Sequence, residues 1–199
     1  MTPSQKVVLL AVSVPFVALT AWLVYHETRI PQNQAEVLNR MIELQKEGRY
    51  DKAAQVVQNW MNDRQRDISH DGLMYDQIAM LYIMKAYKRP RSREDSIHRA
   101  EEDLEKELSL FERQNHDDLS VDLFDIGRAY EALGDISDTN KCRFYRKAGQ
   151  ALERQLPLIK GDSYTSYGYT TQLEPLRAEI RKHIEAINGK YLAAACQPH

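Results

Sequence analysis

From residue 33 onward, apolar side chains recur three and four positions apart, the spacing of one face of an α-helix. Beyond Ile30 no run alternates apolar and polar residues for long enough to predict a strand. The phase predicts seven helices. Residues 33–47 carry Val37, Leu38, Met41, Ile42 and Leu44, and Gly48 ends them, as glycine does at a helix C-terminus. Residues 51–65 carry Ala53, Val56, Val57 and Trp60. Residues 72–87 carry Leu73, Tyr75, Ile78, Ala79, Leu81, Tyr82 and Ile83, apolar nearly all round, and Pro90 stops them. Ser92 and Asp95 resemble a capping box ahead of 93–114, which carries Ile97, Ala100, Leu104, Leu108 and Phe111. The next helix, 119–133, is built on Leu123, Ile126, Gly127, Tyr130 and Leu133, with Gly134 as its terminus. Residues 139–156 carry Phe144, Tyr145, Ala148, Ala151 and Leu152, closed by Pro157. Residues 174–188 carry Leu176, Ile180, Ile184 and Ile187, closed by Gly189. The expected fold class is all-α: three helical hairpins and a C-terminal capping helix.

The start of the chain follows a different rule. Residues 7–25 read VVLLAVSVPFVALTAWLVY, with no charge. Nineteen helical residues span roughly 28 Å, close to the ~30 Å hydrocarbon core of a bilayer. Trp22 and Tyr25 stand at one end, where amphipathic rings favour the interface. A cleaved signal sequence is the alternative. Against it, the apolar run continues to Tyr25, and triplets such as Ala18-Leu19-Thr20 fit the small-x-small cleavage rule poorly. The expected organisation is a tail at 1–6, a single-pass transmembrane anchor at 7–26 and a linker at 27–32. A helical domain at 33–190 and a flexible tail at 191–199 follow. Lys6 and the α-amine precede the span and Arg29 follows it, so the charges nearly balance. The short, signal-like start favours an extracytoplasmic C-terminal domain.

The hairpins carry a resemblance. Glu47-Gly48-Arg49-Tyr50-Asp51-Lys52-Ala53 is similar to the inter-helix turn of the tetratricopeptide repeat (TPR) family. Met41, Ala79 and Gly127 stand at that family's small crossing position, and Leu44, Tyr82 and Tyr130 three residues later. Val37, Tyr75 and Leu123 take the preceding large position, and Ala53, Ala100 and Ala148 fit small positions of the second helices. Arg40 stands where that family has leucine, and the crossing positions at 41, 79 and 127 are spaced more widely than the family's roughly 34 residues. The resemblance covers residues 33–156, with a generic helical bundle as the alternative.

Composition narrows the function. The formal net charge is −2, so no nucleic-acid partner is expected. Two cysteines exclude a disulfide-stapled mini-fold and a four-cysteine zinc site. Cys142 and Cys196 could pair outside the cytoplasm, but the sequence does not give their distance. Six histidines form no HExxH motif, and no phosphate-binding glycine loop or nucleophile elbow is present. No catalytic residue, cofactor or metal is expected. The acidic run Glu101, Glu102, Asp103, Glu105 and Glu107 reads as a solvated helix face. The basic stretch Lys85, Lys88, Arg89, Arg91 and Arg93 reads as a solvated loop, with lipid head-group contact as its functional alternative. Tyr164, Tyr167 and Tyr169 alternate with small polar residues in a loop at 160–172. They serve either binding or packing against the protein's own helices.

The TPR resemblance implies a scaffold whose concave groove holds another protein or a peptide segment, and the apolar run at 7–25 makes it a membrane-anchored one. Carried over by phase, the groove is lined by Leu38, Ile42, Leu73, Met80, Ile83, Met84, Val121 and Phe124, with Asp76, Arg128 and Glu131 among them. Coverage of this face by the tyrosine loop or by the last helix is the competing expectation. A helical-bundle enzyme or small-ligand domain is the alternative function. It would require strongly shifted titratable groups converging in one cavity.

Overall fold

The computed structural model describes Pro31 and residues 33–62, 71–113, 122–166 and 169–196. Its helices are α1 (Gln34–Lys46), α2 (Tyr50–Met61), α3 (Asp71–Lys88), α4 (Arg93–Arg113), α5 (Asp122–Ile136), α6 (Lys141–Gln155) and α7 (Leu173–Ala193). They pair as hairpins α1/α2, α3/α4 and α5/α6. Each hairpin packs on the next through α2 on α3 and α4 on α5, while α3 also meets α5 and α7 closes the stack against α6. The packing is all-α. One departure is a two-stranded antiparallel hairpin, β1 (Ser163–Ser166) and β2 (Tyr169–Gln172), with Ser163 opposite Gln172. No strand was expected there; the alternation of the tyrosine segment is real but only four residues long on each side.

The uninterrupted apolar surface of α3 has a structural cause. It is packed by α2, α4 and α5, so Met74, Ile78, Ala79, Leu81, Tyr82, Ile83 and Ala86 are all buried. Alanines at 53, 54, 100, 129, 148 and 151 are buried on the neighbouring helices, where small side chains let backbones approach. Phe144 stacks on Tyr130 with ring centroids 6.4 Å apart, filling the centre of the third hairpin.

Helix ends follow local chemistry in some places and packing in others. Asn33 caps α1, its Oδ1 accepting from the Glu36 N–H at 2.9 Å. Gly48 sits at φ +71°, and the Gly48 and Arg49 N–H groups donate back to Gln45 and Leu44 carbonyls, the expected glycine terminus. Ser92 belongs to a 3-10 turn, Pro90–Ser92, and its hydroxyl donates to the Arg89 carbonyl rather than closing a capping box. Gly134 and Gly189 do not end their helices; α5 runs to Ile136 and α7 to Ala193. At Gly134 a Cβ would lie 2.4 Å from the Tyr145 ring, and at Gly127 2.8 Å from Leu152. Both are contact glycines between α5 and α6.

The end of α7 turns through Ala195, at φ 52°, and the Cys196 N–H donates to the Tyr191 carbonyl. This turn delivers Cys196 to Cys142, near the start of α6. The two form a disulfide with Cα atoms 5.5 Å apart across 54 residues of sequence. The tail expected to be flexible from 191 is therefore helical through Ala193 and covalently held at Cys196. Among the described residues no helix is long and apolar enough to cross a membrane. The tail, the anchor at 7–26 and most of the linker lie outside those residues, as do Val121 and the side chain of Leu73.

Candidate functional site

Among the described residues, the groove positions given by phase lie on the first helices of the three hairpins, α1, α3 and α5. On α3 these are Asp76, Met80, Ile83 and Met84, continued by Tyr87, where Met80, Met84 and Tyr87 follow Asp76 at intervals of four, four and three and Ile83 lies beside Met84. On α1 they are Leu38 and Ile42, continued by Gln45, and Gln45 Nε2 lies 3.3 Å from Met84 Sδ, joining the two helices. On α5 they are Phe124, Arg128 and Glu131, followed by Ala132 and Asp135. Between α3 and α5 lies a cleft of about 340 Å³ lined by Ile83, Met84, Tyr87, Lys88, Ala132, Asp135 and Ile136. Its walls are apolar, and its polar ends are Lys88 and Asp135.

Coverage of this face is uneven. Ile83 and Asp76 are buried, and Leu38, Met84 and Phe124 half-buried. Ile42 and Met80 are exposed, and Tyr87 is 68% exposed. The α5 stripe is partly closed by α7. His183 meets the Phe124 ring edge-on with centroids 5.3 Å apart. Lys190 Nζ reaches Glu131 at 2.8 Å and donates to Asp135 Oδ2 at 2.6 Å. Arg128 remains exposed, its guanidinium 5.9 Å from the Phe124 ring centre. So the last helix covers the α5 side, and the strip Ile42, Met80, Met84, Tyr87 stays open.

The phase reading placed Ile83 and Met84 in the cleft but stopped one turn short. Tyr87 continues the same α3 stripe, and extending it would have found that residue. Asp135 and Ile136 were missed because Gly134 read as the helix end.

The basic stretch is a solvated loop only in part: Lys88, Arg89 and Arg91 are exposed, and Lys85 and Lys88 belong to α3. Lys85 is a buried residue of α3, and its Nζ donates to Asp51 Oδ1 on α2 at 2.7 Å. Arg89 donates to the Gly48 carbonyl at 2.7 Å, and Arg93 lies 3.7 Å from Asp138. The acidic run is likewise a solvated face only in part. Glu101, Asp103 and Glu107 are buried, whereas Glu102 and Glu105 are exposed. Glu101 accepts from Arg143 at 2.6 Å and from Lys147 at 2.7 Å, and Lys147 also reaches Glu105 at 2.8 Å. These pairs tie α4 to α6.

Titratable groups with displaced pKa values sit in such interfaces. Burial pushes the Tyr130 and Tyr145 hydroxyls up to about 12, with the bond from Tyr145 to Asp135 adding to the second. Burial also raises the Asp103 carboxyl, against the opposing hydrogen bond from Lys106. Asp103 and Tyr130 do not line the cleft, nor does Tyr145. Among the described residues no group of three or more His, Cys, Asp or Glu side chains could hold a metal ion.

Asp103 gives a pH prediction. A carboxyl whose folded pKa lies above its unfolded value binds more protons folded than unfolded, so its ionisation opposes folding as pH rises through that window. Asp103→Asn removes this charge and keeps an acceptor for Lys106. The variant should melt above wild type at pH 7, the difference closing toward pH 4, as thermal melts across that range will read. A variant less stable than wild type at pH 7 would show that the Lys106 pair outweighs burial.

Comparison with protein-family models, curated proteins and solved structures finds no match to this chain.

Proposed function

We propose that this chain is a membrane-anchored, TPR-like scaffold that holds a polypeptide segment of another protein along the face formed by α1, α3 and α5. The observation that carries the reading is the open apolar strip Ile42, Met80, Met84 and Tyr87 beside a 340 Å³ cleft. Exposed Met80 and Tyr87, with half-buried Met84 between them at one-turn intervals, suit a partner's apolar side chains, because thioethers adapt their shape and tyrosine gives large contact area at low entropic cost. The stacking of α3 on α5, and of each second helix on the first helix of the next hairpin, supports the repeat-like reading.

The anchor rests on the uncharged run at 7–25. A Cys142–Cys196 bond suits an oxidising compartment, which supports a domain on the extracytoplasmic side of the membrane.

The test is in-cell photocrosslinking of the full-length protein with the reactive group placed at Met80, followed by capture with substituted variants. Tyr87→Asp puts a charge on the open strip without entering the core. It is expected to reduce capture at least about tenfold with helix content unchanged. Met84→Asp should do the same and also lower the melting temperature, since Met84 is half-buried. Undiminished capture by both variants would remove the groove from the function.

A further inference from the structure

The open apolar strip is bordered by charge of one sign. One turn beyond Ile42 on α1 stands Lys46, and one turn beyond Met84 on α3 stands Lys88. On α5, Arg128 lies one turn after Phe124 and one turn before Ala132. Residues four apart on a helix share a side, so each of the three helices sets one cation beside the groove. The C-terminal ends of these helices meet here: Arg89 donates to the Gly48 carbonyl, and Lys88 and Ile136 line one cleft.

All three cations are exposed, and among the described residues none of them meets a carboxylate. The contacts of Lys88 and Arg128 are aromatic, to the ring centres of Tyr87 at 5.8 Å and Phe124 at 5.9 Å. The acids of the same face are already engaged. Glu131 and Asp135 share Lys190, and Asp76 is buried and accepts from the Gln77 amide. Lys46 and Lys88 stand in the last turns of their helices, where the helix dipole supplies about half a negative charge, less than either lysine carries. Arg128 stands in the middle of α5, away from either helix end. The strip is therefore flanked by positive charge that the protein itself does not answer.

This observation narrows the occupant and rests on the groove reading above. We infer that the segment held there is acidic. It places apolar side chains at one-turn spacing on Met80, Met84 and Tyr87, and aspartate or glutamate on both flanks. Three cations on three helices call for counter-charges spread along a chain, whereas a single-headed acidic amphiphile would meet one of them. A second copy of this face would set cation against cation, and like charges across an interface disfavour that pairing. The charges orient the segment and speed its arrival, while the apolar strip retains it.

The test titrates full-length protein in non-ionic micelles against three labelled peptides, read by fluorescence anisotropy with empty micelles as the blank. The peptides share leucines at one-turn spacing and carry glutamate, glutamine or lysine between them. The glutamate peptide is expected to bind about tenfold tighter than the glutamine peptide, with the lysine peptide weakest. That preference should shrink as salt is raised and vanish when Lys46→Gln, Lys88→Gln and Arg128→Gln are combined. All three positions are exposed, so the combined variant keeps the fold. Tyr87→Ser tests the groove apart from charge and should weaken all three peptides alike. Equal binding of the glutamate and glutamine peptides, weakened by Tyr87→Ser, overturns the acidic partner and keeps the groove. A preference that survives the combined variant overturns the acidic partner as well. Binding of no peptide, binding that Tyr87→Ser leaves unchanged, or a dimer on sedimentation that Tyr87→Ser splits overturns both readings.

Discussion

Reducing the Cys142–Cys196 bond, or replacing both cysteines with serine, should lower the melting temperature of the helical domain by about 12 °C while leaving its helices largely formed at 25 °C. The bond closes a loop of 54 residues, from the start of α6 to the turn after α7. On the chain-entropy account, a crosslink of that span removes about 4 kcal/mol of freedom from the unfolded chain. For a domain of this size each kcal/mol moves the midpoint by about 3 °C. The folded state should persist because α7 is also held by buried Leu173, Ile180 and Ile187 and by the Lys190 pairs with Glu131 and Asp135. Melts with and without a phosphine reductant, compared with the double serine variant, give the value directly. A shift below about 3 °C would mean that the crosslink constrains little beyond what α7 packing already fixes.

The second large effect is expected at Gly134. Gly134→Val should cost about 3 kcal/mol, and Gly134→Ala distinctly less. The glycine lies inside α5, where a Cβ would meet the Tyr145 ring at 2.4 Å. Tyr145 cannot simply swing away: its ring is buried and its hydroxyl donates to Asp135 at 2.8 Å. Alanine meets the same obstacle but recovers about 1 kcal/mol of helix propensity; valine adds branching and recovers less. A terminal glycine in the left-handed region would behave otherwise, penalising alanine and valine alike for backbone reasons. Denaturant titration of the two variants distinguishes these cases. Near-equal losses would restore Gly134 to the role of a terminus.

This position also shows what could be read from the sequence. All seven helices were legible from apolar residues at 3.6-residue spacing, and phase fixes the buried side of each except α3, whose apolar residues run nearly all round. Gly48 was legible too, since it follows its last apolar residue and begins a polar turn. Gly134 and Gly189 carry the same local signature with a different cause. At Gly134 the reason is a tyrosine eleven residues later on the partner helix, which no window along α5 contains. The acidic run of α4 was misread for a related reason. Glu101 is buried because Arg143 and Lys147 reach it from more than forty residues away. Periodicity shows which face of a helix is charged, not whether an opposite charge arrives to cover it. The groove residues Ile83 and Met84 were recovered because they follow from phase. Coverage by the last helix was one of two expectations left open; that it falls on the α5 stripe, through His183 and Lys190, depends on where α7 returns.

The ties between the first hairpin and the rest of the stack have a mechanical consequence. Gln45, Gly48 and Asp51 bond to Met84, Arg89 and Lys85, all at the turn end of α1 and α2. The chain enters α1 from the opposite end, at Gln34. A pull arriving from there loads the interface as a zipper is loaded, one contact row at a time, with the polar ties acting as the pin of a hinge. At the other extreme, α6 is joined covalently to the turn that ends α7. Force applied between the entry point and a held partner would therefore swing the α1 wall outward before it disturbed α5 or α7. The molecule has a compliant jaw on its entry side and a rigid one opposite.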